Sequence, residues 1–146
     1  MDTIRKIVFN DLIEITNLEK EIFEDSWALR TIENQITSAQ TINLAIVQNT
    51  KIIGYILARI YMDFLEIERI GVVKNERRKK VGEKLISKIE TIARHMKKER
   101  ITLEVAENNT NAIKLYNKLS YKKNGVRKKY YKLDNQNAVL MSRELD

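Results

Sequence analysis

The 146-residue chain has no cysteine, no proline, only four glycines and a single histidine. Without cysteine it has no disulfide framework, no thiolate metal site and no thiol nucleophile. One histidine, His95, argues against a histidine-rich metal centre and against a Ser-His-Asp site, so no metal cofactor is expected. With no proline, no Ser/Gly-rich tract and no repeated period, nothing marks a linker or a second unit, and residues 1–146 read as one domain. No apolar run is long enough to cross a membrane, and the opening residues lack the apolar stretch and cleavage site of a secretory signal. These absences predict a soluble, cytoplasmic protein whose chemistry falls to carboxylates, tyrosines, lysines and backbone amides.

A hydrophobic share of 43% is enough for an ordinary core, and 27 Lys+Arg against 20 Asp+Glu give a formal charge of +7. That charge favours an anionic partner without naming it. Thr3 to Val8 read as a strand, followed by a helix capped at Asn10 or Asp11 with Leu12, Ile15, Leu18 and Ile22 at helical spacing. Ser26 is a plausible cap for a short helix marked by Leu29, Ile32 and Ile36. Thr41 to Val47 and Ile52 to Ile60 form an antiparallel hairpin, and Leu65 to Val73 a further strand. The strongest helix signal is the stripe Val81, Leu85, Ile89, Ile92 and Met96. A short strand Ile101 to Val105, a helix from Thr110 to Leu119, and closing strands Tyr121 to Tyr131 and Ala138 to Leu145 complete an α/β order with a mixed sheet.

Two segments carry chemistry. The basic turn Arg77-Arg78-Lys79-Lys80 leads into Val81-Gly82 and the long helix, where unpartnered amides and the positive end of the macrodipole suit a phosphate. A solvated basic helix start explains the same residues. In Ile101-Thr102-Leu103-Glu104-Val105 one acid lies in an apolar strand, and Tyr116 follows on the next helix. Glu104 is therefore either a carboxylate among apolar neighbours, suited to act as a base, or the solvent-facing member of an alternating strand.

Arg77-Arg78-Lys79-Lys80-Val81-Gly82 resembles the acetyl-coenzyme A loop of the GNAT N-acetyltransferases. Leu103-Glu104-Val105, Asn109, Asn111-Ala112-Ile113, Leu115-Tyr116, Leu119-Ser120-Tyr121 and Arg127 to Tyr131 are similar to the C-terminal half of the RimI-type branch. That branch acetylates the N-terminal alanine of small-subunit ribosomal protein eighteen. The resemblance extends to Asp25-Ser26-Trp27 and Ala138 to Met141. It implies a GNAT fold of about seven strands, splayed at its middle, with about four helices on its faces. It implies acetyl-coenzyme A as co-substrate, with the pantetheine arm along the strand that carries Ile70 and Val72. The pyrophosphate would lie on the loop from Arg77, Arg78, Lys79 and Lys80 to Val81 and Gly82. It further implies Glu104 as general base, Tyr116 as general acid and Asn109 as a contact to the cofactor arm. A protein N-terminus, that of a ribosomal protein, is the implied partner.

The sequence departs from the family pattern at three places: Lys80 stands for the loop's first glycine, Glu76 for a common aromatic and Ser120 for a later glycine. Because Val81 opens the apolar stripe, Lys80 is expected to have helical dihedrals at the helix entry, where a β-carbon is tolerated. Trp27, Tyr130 and Tyr131 are candidates for the peptide groove, with core packing the alternative for Trp27. His95 reads as structural or exposed. Two rivals remain: the same fold acting on another protein or small-molecule amine, and a non-catalytic basic module that binds nucleic acid through Lys/Arg and exposed Tyr130-Tyr131.

Overall fold

The computed structural model describes residues 2–77, 80–131 and 136–146. The strands are β1 (Asp2–Lys6), β2 (Thr41–Gln48), β3 (Lys51–Ile60), β4 (Phe64–Val72), β5 (Arg100–Ala106), β6 (Lys122–Tyr131) and β7 (Gln136–Glu144). The helices are α1 (Leu12–Ile22), α2 (Leu29–Thr37), α3 (Val81–His95) and α4 (Thr110–Lys118). They build one sheet in the order β1-β2-β3-β4-β5-β7-β6, with β4 and β5 parallel and every other pair antiparallel. A parallel step needs a crossover, and α3 supplies it.

Helices cover both faces. Ile15 and Ile32, on α1 and α2, pack with Tyr55 and Leu57 on one side, and Leu85, Ile86 and Ile89 of α3 pack with Ile56, Leu65 and Ile101 on the other. Buried between them, β3 has an unbroken apolar run from Ile52 to Ala58 where an edge strand would alternate. The expected elements all appear, with three local corrections. Ser26 does not cap α2, whose N-cap is Ala28, because residues 23–27 are committed to a separate contact described below. Asp11 closes a 3-10 turn over Phe9–Asp11, its carboxylate accepting from Val8 N and from Arg5, and makes no side-chain cap to α1. Met96, expected in the buried stripe, is 39% exposed because α3 ends at His95.

Among the described residues the left-handed backbone positions are Asn49, Thr50, Lys80, Lys97 and Ser120, and none of the four glycines has positive φ. Glycine is kept instead for close approach. A β-carbon on Gly71 would lie 2.7 Å from the fully buried Tyr55 ring. Gly71→Ala is therefore expected to destabilise the protein by about 1–3 kcal/mol. A lowered urea midpoint at unchanged slope checks this, and an unchanged midpoint would show that the ring can yield.

Candidate functional site

Strands β4 and β5 pair only from Phe64 opposite Arg100 to Ile67 opposite Leu103. At the same level β4 slips against β3, since Ala58 faces Ile67 and Leu57 faces Arg69, which leaves Glu68 as an extra residue. Such a bulge bends its strand and increases the twist. Beyond it the two strands part, and no described strand pairs with the β5-side edge of β4 from Glu68 to Val72. A cleft of about 950 Å³ opens there.

Ile70, Glu104, Asn109, Tyr116 and Trp27 all line this cleft. Neither expectation for Glu104 holds unchanged. It occupies the half-buried face of an alternating β5, its side chain 18% exposed, and Oε1 accepts from Arg127 Nη2 at 2.7 Å. Tyr116 is buried, its ring 6.0 Å from that of Tyr121 at a tilted angle. Asn109 is the N-cap of α4, its Oδ1 accepting from Ala112 N at 3.2 Å, so the helix start itself calls for this residue type.

Several cleft residues were not singled out from the sequence. Glu66 and Glu68 follow one another at period two on β4 and join Glu104 on the cleft wall. Glu66 is held above the usual carboxylate range, first by burial and then by Glu68 and Glu104, against the opposing pull of Arg127 and Arg59. Glu68 Oε2 accepts a long 3.4 Å bond from Arg59, while its Oε1 is buried with no hydrogen-bond partner. The alternation Glu66-Ile67-Glu68 was a readable signal, but the gathering of three carboxylates depends on the β4–β5 pairing.

The opposite wall hangs from a buried carboxylate. Glu19 is fully buried and accepts from Tyr55 Oη at 2.6 Å, Trp27 N at 2.8 Å, and Arg69 Nη2 at 2.9 Å and Nε at 3.1 Å. Burial and the Glu19 charge push the Tyr55 hydroxyl far above its usual value, so it remains a donor. The Arg69 guanidinium lies 3.6 Å from the Phe23 ring centroid and 5.6 Å from that of Trp27. This arrangement fixes residues 23–27 beside the cleft. Trp27 consequently packs against the α1/α2 core and lines the cleft as well.

At the start of α3, Lys80 has φ 63° and ψ 23°, which corrects the expectation of helical dihedrals. The left-handed residue directly precedes Val81, which enters the core. No side chain caps α3, so its first-turn amides remain available to a ligand. A β-carbon on Gly82 would meet only Ile70 and Leu115, at 3.8 and 3.9 Å, so the protein's own packing does not require glycine there. Val81 is buried in the core and can offer only its backbone, Val72 is half-buried, and Arg77 is exposed with Nε donating to Val72 O at 3.2 Å. The unpaired strand edge and uncapped helix start fit an extended ligand ending in a phosphate. Lys80 lies outside the cleft, on a neighbouring cavity with Asp2 and Glu83. Arg78 and Lys79 lie outside the described residues, as do the side chains of Tyr130 and Tyr131.

A family model described as the acetyltransferase (GNAT) family matches residues 9–121. An N-alpha-acetyltransferase of Saccharolobus solfataricus is 36% identical over 115 residues, covering 70% of this chain and 68% of that protein. The crystal structure of the ribosomal-protein-S18-alanine N-acetyltransferase from Escherichia coli superposes with a TM-score of 0.94 at 22% identity, covering 100% of this chain and 95% of the other. Arabidopsis thaliana NAA60 in complex with acetyl-CoA gives 0.90 at 18% identity, with 99% and 98% covered.

Two outcomes are expected from this geometry. Lys80→Gly removes a left-handed β-carbon and should raise stability by about 0.5–1 kcal/mol, seen as a higher Tm; a lower Tm would mean that the lysine side chain contributes more than its backbone costs. For Glu66, the folded state holds its proton to higher pH than the unfolded chain, so stability falls as pH rises from the unfolded to the folded value. Glu66→Gln should leave acid stability nearly unchanged and raise stability at neutral pH. Parallel stability curves for the two proteins would show that the carboxyl is not perturbed.

Proposed function

The chain belongs to the acetyltransferase (GNAT) family and is an N-acetyltransferase that uses acetyl-coenzyme A, and on that footing we propose that its acceptor is the α-amine of a protein N-terminus. We take the specific acceptor to be the N-terminal alanine of small-subunit ribosomal protein eighteen, which sets the reaction in the cytoplasm. In this reading residues 1–146 act as one catalytic domain. The observation that carries it is the convergence of Glu104 and Tyr116 on one cleft beside the unpaired edge of β4.

Acetyl-coenzyme A supplies the thioester. Backbone groups near Ile70 and Val72 hold the pantetheine arm, the amides and cations from Arg77 to Gly82 hold the pyrophosphate, and Asn109 contacts the arm at the α4 start. Trp27, which lines the cleft, borders the peptide. With no cysteine to carry an acyl group, the amine attacks directly while both substrates are bound. Glu104 takes the amine's proton as the N–C bond forms, and Tyr116 donates its hydroxyl proton to the sulfur as the C–S bond breaks. An α-amine has a reference pKa of about 7.7–8.0, so little driving force is needed near neutral pH. Positioning of two substrates supplies the larger share of the acceleration. The charge of the cleft supports a cationic acceptor, since Glu24, Asp25, Glu66, Glu68 and Glu104 line it on a chain that is basic overall. That sign is the opposite of what a nucleic-acid groove requires.

Mass spectrometry on a panel of N-terminal peptides tests the acceptor, and acetylation of lysine side chains or small amines in preference to the α-amine would overturn it. Glu104→Gln and Tyr116→Phe are each expected to lower kcat by about tenfold or more with acetyl-coenzyme A affinity nearly unchanged. Wild-type turnover by either variant would remove that residue from its role.

A further inference from the structure

Arg127 was not among the residues expected to act, yet it makes the 2.7 Å ion pair to Glu104. We propose that Arg127 is a positioning residue for acyl transfer: it is the cation that balances three crowded carboxylates and holds Glu104 in place to accept the proton of the α-amine. This inference rests on the proposed role of Glu104.

The cleft wall sets the charge balance. Strand β4 contributes Glu66 and Glu68, β5 contributes Glu104, β3 contributes Arg59 and β6 contributes Arg127. Strand β7 places the uncharged Leu140 opposite Glu104, α4 brings Tyr116, and the α1–α2 segment brings Glu24 and Asp25. The other cation on β4, Arg69, is committed to Glu19 and Asp25. Three carboxylates therefore meet two guanidinium groups, and the two are not equivalent. Arg59 divides its guanidinium between Glu68, at 3.4 Å, and Gln35 Oε1, at 3.3 Å, whereas Arg127 is in direct contact with Glu104; both draw Glu66 down toward its ordinary range, Arg127 the more strongly. Among the described residues, Arg127 is the cation paired with Glu104, while Arg59 is bonded to Glu68. A like charge close to a carboxylate disfavours its ionised form. A base that already holds a proton cannot take one from the substrate.

The location of Arg127 suits this role. Its side chain is 55% exposed, so it fills no core, and it precedes the place where the register of β6 against β7 becomes irregular. Its removal should therefore spare the fold and alter the electrostatics. A purely structural contribution would lower activity by one factor at every pH, whereas charge balance acts mainly on the acidic side.

The test is the pH dependence of kcat/KM for wild type, Arg127→Gln, Arg127→Lys and Glu104→Gln on one competent peptide, with acetyl-coenzyme A binding measured by calorimetry. Arg127→Gln should lose about tenfold near about pH 6 and come within about twofold of wild type near about pH 9, and Arg127→Lys should recover most of the loss. Acetyl-coenzyme A binding should be unchanged in both. An Arg127→Gln profile parallel to that of wild type, with Glu104→Gln inactive, overturns the inference and leaves the base assignment standing. Full turnover by Glu104→Gln overturns the base assignment itself.

Discussion

The site depends on one backbone mismatch. The β4–β5 pairing ends at Ile67 and Leu103, at the level where the extra residue Glu68 bulges β4 away from its register with β3. A bulge re-aims the strand, and a parallel pair cannot follow a bend made by one member alone. The consequence is an edge of β4 with no described strand beside it in the middle of a seven-stranded sheet. Buried backbone groups require partners, so this edge is suited to an extended ligand that brings amide groups of its own. On the proposed function that ligand is acetyl-coenzyme A, and α3, which must cross from β4 to β5, starts beside it, a β-carbon on Gly82 lying 3.8 Å from Ile70 of the cleft.

The acidic side chains fall into two groups with different physical roles. Glu19 accepts from a tyrosine, a backbone amide and an arginine, and Glu90 accepts from Tyr121 and Arg143 at 2.9 Å each. A buried charge is tolerable when its lone pairs are satisfied in this way, and each of these acids joins elements distant in sequence. Glu66, Glu68 and Glu104 are less completely satisfied. One oxygen of Glu68 has no partner, Glu66 is pushed toward its neutral form, and Glu104 has an arginine that is half in solvent. The contrast separates acids that hold the frame from acids that line the cleft.

Glycine and the left-handed turns are also divided by need. The two-residue turn Asn49-Thr50, the entry to α3 at Lys80, the exit from α3 at Lys97 and the turn after α4 at Ser120 all take positive φ without glycine. Lys80 and Ser120 are two of the positions where the sequence departs from the family's glycines, and both take positive φ although the residue that adopts it most easily is absent. Gly54 and Gly71 are retained where Val81 and Tyr55 leave no space for a β-carbon. The turns tolerate a modest conformational cost, whereas a collision in a packed core has no inexpensive remedy.

How much was legible can be judged from particular residues. The stripe from Val81 to Ile89 and the acid Glu104 in an apolar strand followed by a helix with Tyr116 could be read directly, because helical and strand periodicity are local properties of the chain, whereas Asn109 and the roles of these residues came from the family resemblance. The order of elements, the mixed sheet and the family resemblance followed from them. The left-handed Lys80 was misjudged, because whether a loop enters a helix through a turn or a straight run depends on where the preceding strand ends in space. Arg127 stood in a segment that resembles the family, and Glu66 and Glu68 alternate on their strand, but neither pattern says that a cation and these acids meet Glu104. By itself the sequence determined which segments are helix or strand and which faces are apolar, since these depend on neighbours a few residues away. The tertiary structure alone decided that β4 parts from β5 at Glu68 and that Arg127 meets Glu104, since both arise from strand register between segments far apart in the chain.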